Sequence, residues 1–213
     1  MTEEPAHRLV RVAYDAVAGD YLARFRDELA HKPLDRALLR LLVEEAPAGT
    51  PVADLGCGPG HVAGWLAGTG ARVVGVDLAP AMVEVGRRSF PDVEFRCGDL
   101  LALPATDGEF GAALALYSII HLQAGELDAA FAEIRRVLRP SSLLLVAFHI
   151  GHETRHLSDW FGHEVELDFR FFETGTVREA LESAGLSVEA TVERRHLPEE
   201  AETRRGYILA RAV

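Results

Sequence analysis

A single lysine, Lys32, stands in 213 residues, and the only cysteines are Cys57 and Cys97. Two cysteines, one of them inside a glycine-rich loop, exclude a disulfide framework and suit a reducing, cytoplasmic setting. Basic charge is also short. Lysine and arginine number 22 against 33 acids, a formal net charge of -11. Such a surface repels nucleic-acid phosphates and anionic lipid. The arginine-for-lysine bias, with abundant Ala and Gly, reads as coding bias rather than a partner signal. No basic segment followed by an apolar core opens the chain, which begins "MTEEPAHRLV", so no secretory signal is expected. The longest weakly polar run, Phe110 to Leu122, is too short to span a bilayer, and no internal repeat or low-complexity tract is visible.

What is present is a pattern for one packed domain. Hydrophobic residues make up 48% of the chain, enough for a single core with a small appendage. Helical spacing runs from Arg8 to Leu29, weakened at Gly19, and from Leu34 to Ala46, ending before Pro47. Short apolar runs then alternate with helical ones. Strands are expected at Val52–Leu55, Arg72–Val76, Val93–Arg96, Ala112–Tyr117 and Leu143–Phe148, with helices near His61–Ala67, Pro80–Arg88 and Glu126–Leu138. Strands apolar on both faces and joined by helices predict a doubly wound α/β domain on a parallel sheet. After Phe148, Val165–Phe172 alternates like a half-exposed strand, "TVREALESAGL" reads as a helix, and Ser187–Glu193 with Arg205–Ala212 read as an antiparallel edge pair.

"VADLGCGPGHVAGWL" (Val52–Leu66) places Gly56, Gly58 and Gly60 between a strand and a helix. In such a sheet, ligands bind beyond the carboxyl ends of the strands where strand order reverses. A phosphate-gripping loop would carry Lys and Ser/Thr, and a dinucleotide fold would use G-x-G-x-x-G; this loop has neither. It opens with Asp54, a charge that favours a cationic ligand. Asp77 ends the second strand and suits a ribose diol. Asp99, in "RCGDL", suits an adenine amine, and Leu78, Met82 and Leu100 offer apolar faces to the base. Together these describe a seat for an adenosine whose other arm is not a phosphate.

With these motifs, "VVGVDLAPAMVEVGRR", "CGDLLALP", "FGAALALYSIIHL" and "EIRRVLRPSSLLLVAF" follow in order. The chain resembles the class I S-adenosylmethionine-dependent methyltransferases of the small-molecule type, strongly over Pro51–Phe148. Two departures stand out: Gly111 where the family usually has Asp, and Ser141–Ser142 where it usually has Gly–Gly. Both are expected at turns, touching stability more than cofactor binding. The resemblance implies a Rossmann-like seven-stranded sheet in the order 3-2-1-4-5-7-6 with strand 7 antiparallel. It also implies S-adenosyl-L-methionine as cofactor and S-adenosyl-L-homocysteine as product. It assigns Asp54, Gly56 and Gly58 to the methionine moiety, Asp77 to the ribose, Asp99 to the adenine and Tyr117 to the vicinity of the reactive methyl. Tyr14 and Tyr21 fall on an N-terminal helix that lids the cofactor, or simply pack there. The implied layout is a lid at 1–46, a cofactor core at 47–148, a substrate-facing insertion at 149–173, and a helix with a terminal hairpin at 174–213.

Methyl transfer from a sulfonium is an in-line displacement in which positioning supplies much of the catalysis. A hydroxyl or ammonium acceptor must also lose a proton. His121 and His149, just past strand ends, are the candidate bases, with ordinary packing as the alternative for each. "HETRH" (His152–His156) fits the zinc-binding H-E-x-x-H pattern, but its extension fails, with Asp159 and Gly162 at the positions of the next Gly and His. A polar, partly mobile cap segment is expected there instead, with no metal. Trp160 or the Phe169–Phe171–Phe172 cluster would shape the acceptor site. The expected partner is a small-molecule acceptor methylated on oxygen or nitrogen, with no nucleic acid or membrane, the chain acting as a monomer or homodimer. The competing readings are a non-catalytic cofactor-binding module and a nucleic-acid methyltransferase. "ALYSIIHL" lacks the proline-containing segment typical of base-amine enzymes.

Overall fold

The structure is a computed structural model that describes residues 5–123 and 125–213. The acidic start at 1–4, on which the signal-peptide argument rested, lies outside the described residues. Helix α1 (Pro5–Phe25) runs straight through Gly19, and a short 3-10 turn (Glu28–His31) leads into α2 (Pro33–Glu45). Proline suits the first turn of α2, where its missing N–H costs nothing. Leu38, Leu39 and Leu42 then face inward. The alternating part follows as β1 (Val52–Leu55), α3 (His61–Ala67), β2 (Val73–Asp77), α4 (Pro80–Ser89), β3 (Glu94–Cys97), β4 (Phe110–Leu116), α5 (Leu127–Val137) and β5 (Leu138–Ile150). The remainder is β6 (Thr154–Trp160), β7 (His163–Arg170), α6 (Thr174–Ser183), β8 (Leu186–Arg194) and β9 (Arg204–Ala212).

Seven strands form one sheet in the order β3-β2-β1-β4-β5-β9-β8. Strands β1 to β5 pair in parallel, and β9 runs antiparallel to both neighbours. This is the expected order, with the two terminal strands renumbered because β6 and β7 stand outside the sheet. Ala113, Leu114, Leu144 and Val146 are wholly buried, as strands covered on both faces require. On one face they meet Phe131 and Ile134 of α5 and Leu181 of α6; on the other, Leu39 and Leu42 of α2 and Leu66 of α3. Burying each such side chain contributes about 1.5–3 kcal/mol.

Several expectations need correction. Gly111 and Ser141–Ser142 lie within β4 and β5 rather than at turns. A methyl group on Gly111 would sit 1.8 Å from Thr50 Oγ1, so the loop before β1 demands glycine there. Ser141 takes φ +66, the left-handed conformation that glycine more often supplies.

Residues 154–170 form an antiparallel hairpin, not a loose cap. Its turn residues Phe161 and Gly162 both have positive φ, 55° and 82°, which matches the twist of a two-residue hairpin. Val165 and Leu167 of β7 clamp Ala13, Val17 and Ala18 of α1 against Ala79 and Met82. His152 therefore lies in a bend before β6 and His156 within that strand, so the two do not share a helical face. His156 pairs with Glu166 and Asp168, and His152 with Glu173. Among the described residues no cluster of His, Cys, Asp or Glu is placed to hold a metal.

Candidate active site

A cavity of about 890 Å³ lies across the carboxyl ends of the parallel strands, within the range of ligand-binding pockets. Its floor is the glycine loop. Gly56, Gly58 and Gly60 all adopt positive φ, 75°, 54° and 79°. A methyl group on Gly56 would approach Ser118 Cβ to 2.2 Å, so the loop nests against the segment after β4 only because that side chain is missing. The Gly56 and Cys57 N–H groups both donate to the Val76 carbonyl, strapping the loop to β2.

Two carboxylates dominate the floor. Asp77 Oδ2 accepts the Gly58 N–H at 2.7 Å and Oδ1 the Ala79 N–H at 2.9 Å. Burial nevertheless raises its pKa to about 6, those N–H groups opposing the rise and Asp15 adding to it. Asp54 is buried, and its Oδ2 has no hydrogen-bond partner among the described residues. Burial and then repulsion from Asp77 push it to about 7. Two acids sharing a low-dielectric pocket without a cation disfavour each other's ionisation.

Helix α1 roofs the cavity. Tyr14 and Tyr21 line it with Trp160 of the hairpin, their ring centres 5.3 and 5.5 Å from the indole. The Tyr14 hydroxyl lies 2.7 Å from His121 Nε2, while His121 Nδ1 lies 3.0 Å from the Asp168 carbonyl. A carbonyl only accepts, so Nδ1 carries the proton and Tyr14 donates to Nε2. His121 thus offers no free nitrogen, and burial lowers its pKa to about 4. This geometry corrects the expectation of a base at His121 and makes it a holder of Tyr14. His149 also lines the cavity, stacked on Phe171 with Nδ1 2.8 Å from Thr203 Oγ1. Burial, with the Arg205 and Arg155 charges, lowers its pKa to about 4.

Asp99 lines the cavity, and its Oδ2 is taken by His7 Nδ1 at 2.7 Å. His7 Nε2 is 3.2 Å from Glu126 Oε2. Burial opposes a charge on His7, yet the two carboxylates outweigh it and hold its pKa above normal. Leu78, Leu100 and Tyr117 line the cavity too. Met82 does not. It is wholly buried beneath α1, because its helix turns that face away from the strand ends.

The cavity wall running from His61 towards Glu200 carries charged residues that the sequence did not single out. There Glu28, from the 3-10 turn, bonds His61 Nε2 at 2.7 Å and Lys32 at 2.5 Å, and its pKa falls to about 2 against the pull of burial. Lys32 also lies 3.5 Å from Glu200, which clasps Arg194 at 2.6 and 2.9 Å and Arg205 at 3.2 Å. Only His61, next to the glycine loop, carried a positional signal. The other residues meet through folding alone.

Residues 52–141 match the family model described as a methyltransferase domain. An O-methyltransferase of Penicillium expansum is 35% identical over 130 residues, 57% of this chain and 46% of that protein. A probable S-adenosylmethionine-dependent methyltransferase of Mycolicibacterium smegmatis is 34% identical over 153 residues, 68% of this chain and 55% of that protein. The crystal structure of a TehB-like S-adenosylmethionine-dependent methyltransferase from Corynebacterium glutamicum matches with a TM-score of 0.66 at 26% identity, covering 91% of this chain and 97% of that one. The chain belongs to the class I S-adenosylmethionine-dependent methyltransferases. It spans about half the length of the curated relatives it matches.

The residues present suit that family's cofactor. Asp54 and Asp77 have no paired cation among the described residues, and Asp54 Oδ2 is unpartnered. A ligand bearing sulfonium and ammonium charges supplies what they lack.

Proposed function

We propose that the chain binds S-adenosylmethionine at the glycine-loop end of the cavity and transfers its methyl group to an oxygen or nitrogen of a small molecule held at the other end. One observation carries this reading: two cation-free carboxylates, the buried Asp54 and the half-buried Asp77, close adjacent strand ends beside a loop that admits no bulky side chain. When bound, the cofactor supplies a methyl carbon activated by its positive sulfur. In this assignment Asp77 holds the ribose diol, and Asp54 faces the cationic methionine arm. Asp99, shared with His7, borders the base with Leu78 and Leu100. Tyr14 and Tyr21, fixed by His121 and Trp160, close the roof and exclude water.

Holding the acceptor in line with the methyl is worth up to about 7–11 kcal/mol. The volume and the mixed lining allow both ligands in one chamber. The acidic surface favours a small acceptor over nucleic acid. Among the described residues no helix is long and apolar enough to cross a membrane. The unpaired Cys57 and Cys97 accord with a cytoplasmic setting.

Calorimetry with S-adenosylmethionine and S-adenosylhomocysteine tests the cofactor half, and transfer of a labelled methyl to a metabolite panel tests the reaction. Absence of binding by both nucleosides would refute the reading.

A further inference from the structure

In the wall of the cavity, three side chains from three distant parts of the chain form one hydrogen-bonded line. Tyr117, half-buried after β4, lines the cavity; Tyr207 of β9 is wholly buried behind it; Asp35, in the first turn of α2, also borders the cavity. The Tyr207 hydroxyl donates to Asp35 Oδ1 at 3.0 Å, and the Tyr117 and Tyr207 hydroxyls lie 3.2 Å apart. Tyr207 has one proton, already given to Asp35, so Tyr117 must donate to Tyr207. All the donors in the line therefore point one way, from the cavity wall to a carboxylate. The Tyr117 oxygen, its own proton committed, is left with lone pairs only.

We infer that Tyr117, Tyr207 and Asp35 form a proton exit for a protic acceptor, a hydroxyl or an amine, in the methyl transfer proposed above, on which this inference rests. The acceptor atom bonds to the methyl carbon as the carbon–sulfur bond breaks and its electron pair goes to sulfur. The acceptor's proton passes to the Tyr117 oxygen, the Tyr117 proton to Tyr207, and the Tyr207 proton to Asp35, which ends as a neutral carboxylic acid. Tyr117 touches the acceptor; Tyr207 and Asp35 act through it as positioning residues.

The surroundings fit a line through which protons pass without stopping. Burial raises the pKa of both tyrosines, so neither rests as an anion. Arg194 Nε donates to the Tyr207 oxygen at 3.0 Å, while its guanidinium is clasped by Glu200 and reaches Asp35 only at 3.4 Å. Asp35 can therefore take a proton without stripping Arg194 of its main partner. The other charged or titratable groups facing the line are Lys32, His149 and Arg205. Tyr117 itself takes φ +55, a strained backbone for an aromatic residue and one that is kept where the surroundings impose it.

The test uses the whole chain saturated with S-adenosylhomocysteine and 4-nitrophenol as a chromogenic acceptor mimic. Probe binding is followed by equilibrium dialysis and ionisation by nitrophenolate absorbance across pH. Wild type should bind the probe and ionise it about one pH unit or more above its value in water, because Tyr117 accepts the O–H of the neutral phenol and the carboxylate at the end of the line opposes the anion. Tyr207→Phe and Asp35→Asn should bind both ligands yet ionise the probe as water does. Should Asp35→Asn fail to fold, Tyr117→Phe takes its place and must abolish the shift as well. A variant that binds the probe and keeps the wild-type shift overturns the proton exit, as does a wild type that shows no shift or does not bind the probe. Loss of S-adenosylhomocysteine binding in wild type would instead strike the methyltransferase reading itself.

Discussion

Two sets of acids lining the cavity face opposite electrostatic problems. At the glycine loop, the buried Asp54 and the half-buried Asp77 have no cation among the described residues, and both are pushed up towards neutrality. Some 30 residues before and 140 residues after the loop, the half-buried acids Glu28 and Glu200 are both held near a pKa of 2, Glu28 by His61 and Lys32 and Glu200 by Arg194 and Arg205. The first set lacks a counter-charge; the second is already neutralised within the chain. The contrast shows that a buried carboxylate points to a ligand only when its counter-charge is missing.

The comparison breaks most visibly through the paired set. Glu200→Gln removes the partner of two buried arginines and should cost about 3–5 kcal/mol of stability in a denaturant melt, with S-adenosylhomocysteine affinity unchanged. A larger effect on affinity than on stability would mean that the two sets are not separate. Asp77→Asn in the unpaired set should weaken S-adenosylmethionine binding by about 100-fold in calorimetry, since charge-assisted hydrogen bonds contribute about 1.5–3 kcal/mol each. Unaltered affinity would remove the basis for calling that set a cofactor seat.

The pH dependence sharpens the contrast further. A cation favours the ionised forms of Asp54 and Asp77, so binding expels their protons, and affinity should fall as pH drops below about 7, by up to about tenfold per unit for each proton. The unliganded protein should show the reverse trend from these two groups. Their folded pKa values lie above the unfolded ones, so their contribution to stability is fullest below about pH 4 and is lost as pH rises through 6 to 7. Thermal melts with and without cofactor separate the two trends. The smallest effect is expected for Tyr14→Phe, which leaves His121 Nε2 without its donor and should cost about 1–3 kcal/mol of stability.

Legibility in the sequence divided along similar lines. The sheet could be read because Val52–Leu55, Val73–Asp77 and Phe110–Leu116 are continuous apolar runs set between helical periods, and such patterns are local. The glycine loop was legible because its conformations need glycine itself. Strand β6, "TRHLSDW", was not. Exposed except at Leu157 and Trp160, it has no apolar alternation, and only pairing with β7 makes it a strand. Met82 looked like a base-contacting residue because it follows a strand end, yet the packing of α1 on α4 buries it elsewhere. His121 looked like a base because a lone histidine at a rim reads that way until Tyr14 and Asp168 occupy its two nitrogens.

What the chain's order of residues determined by itself was the sheet, its reversal point and the acidic floor beneath it, because periodicity, glycine and strand-end acids act over a few neighbours. Only the tertiary structure decided which acids are neutralised, which histidines are free and where a proton can leave. Those properties depend on partners as remote as Asp35 and Tyr207, 172 positions apart, and no local pattern encodes a hydrogen bond across that distance.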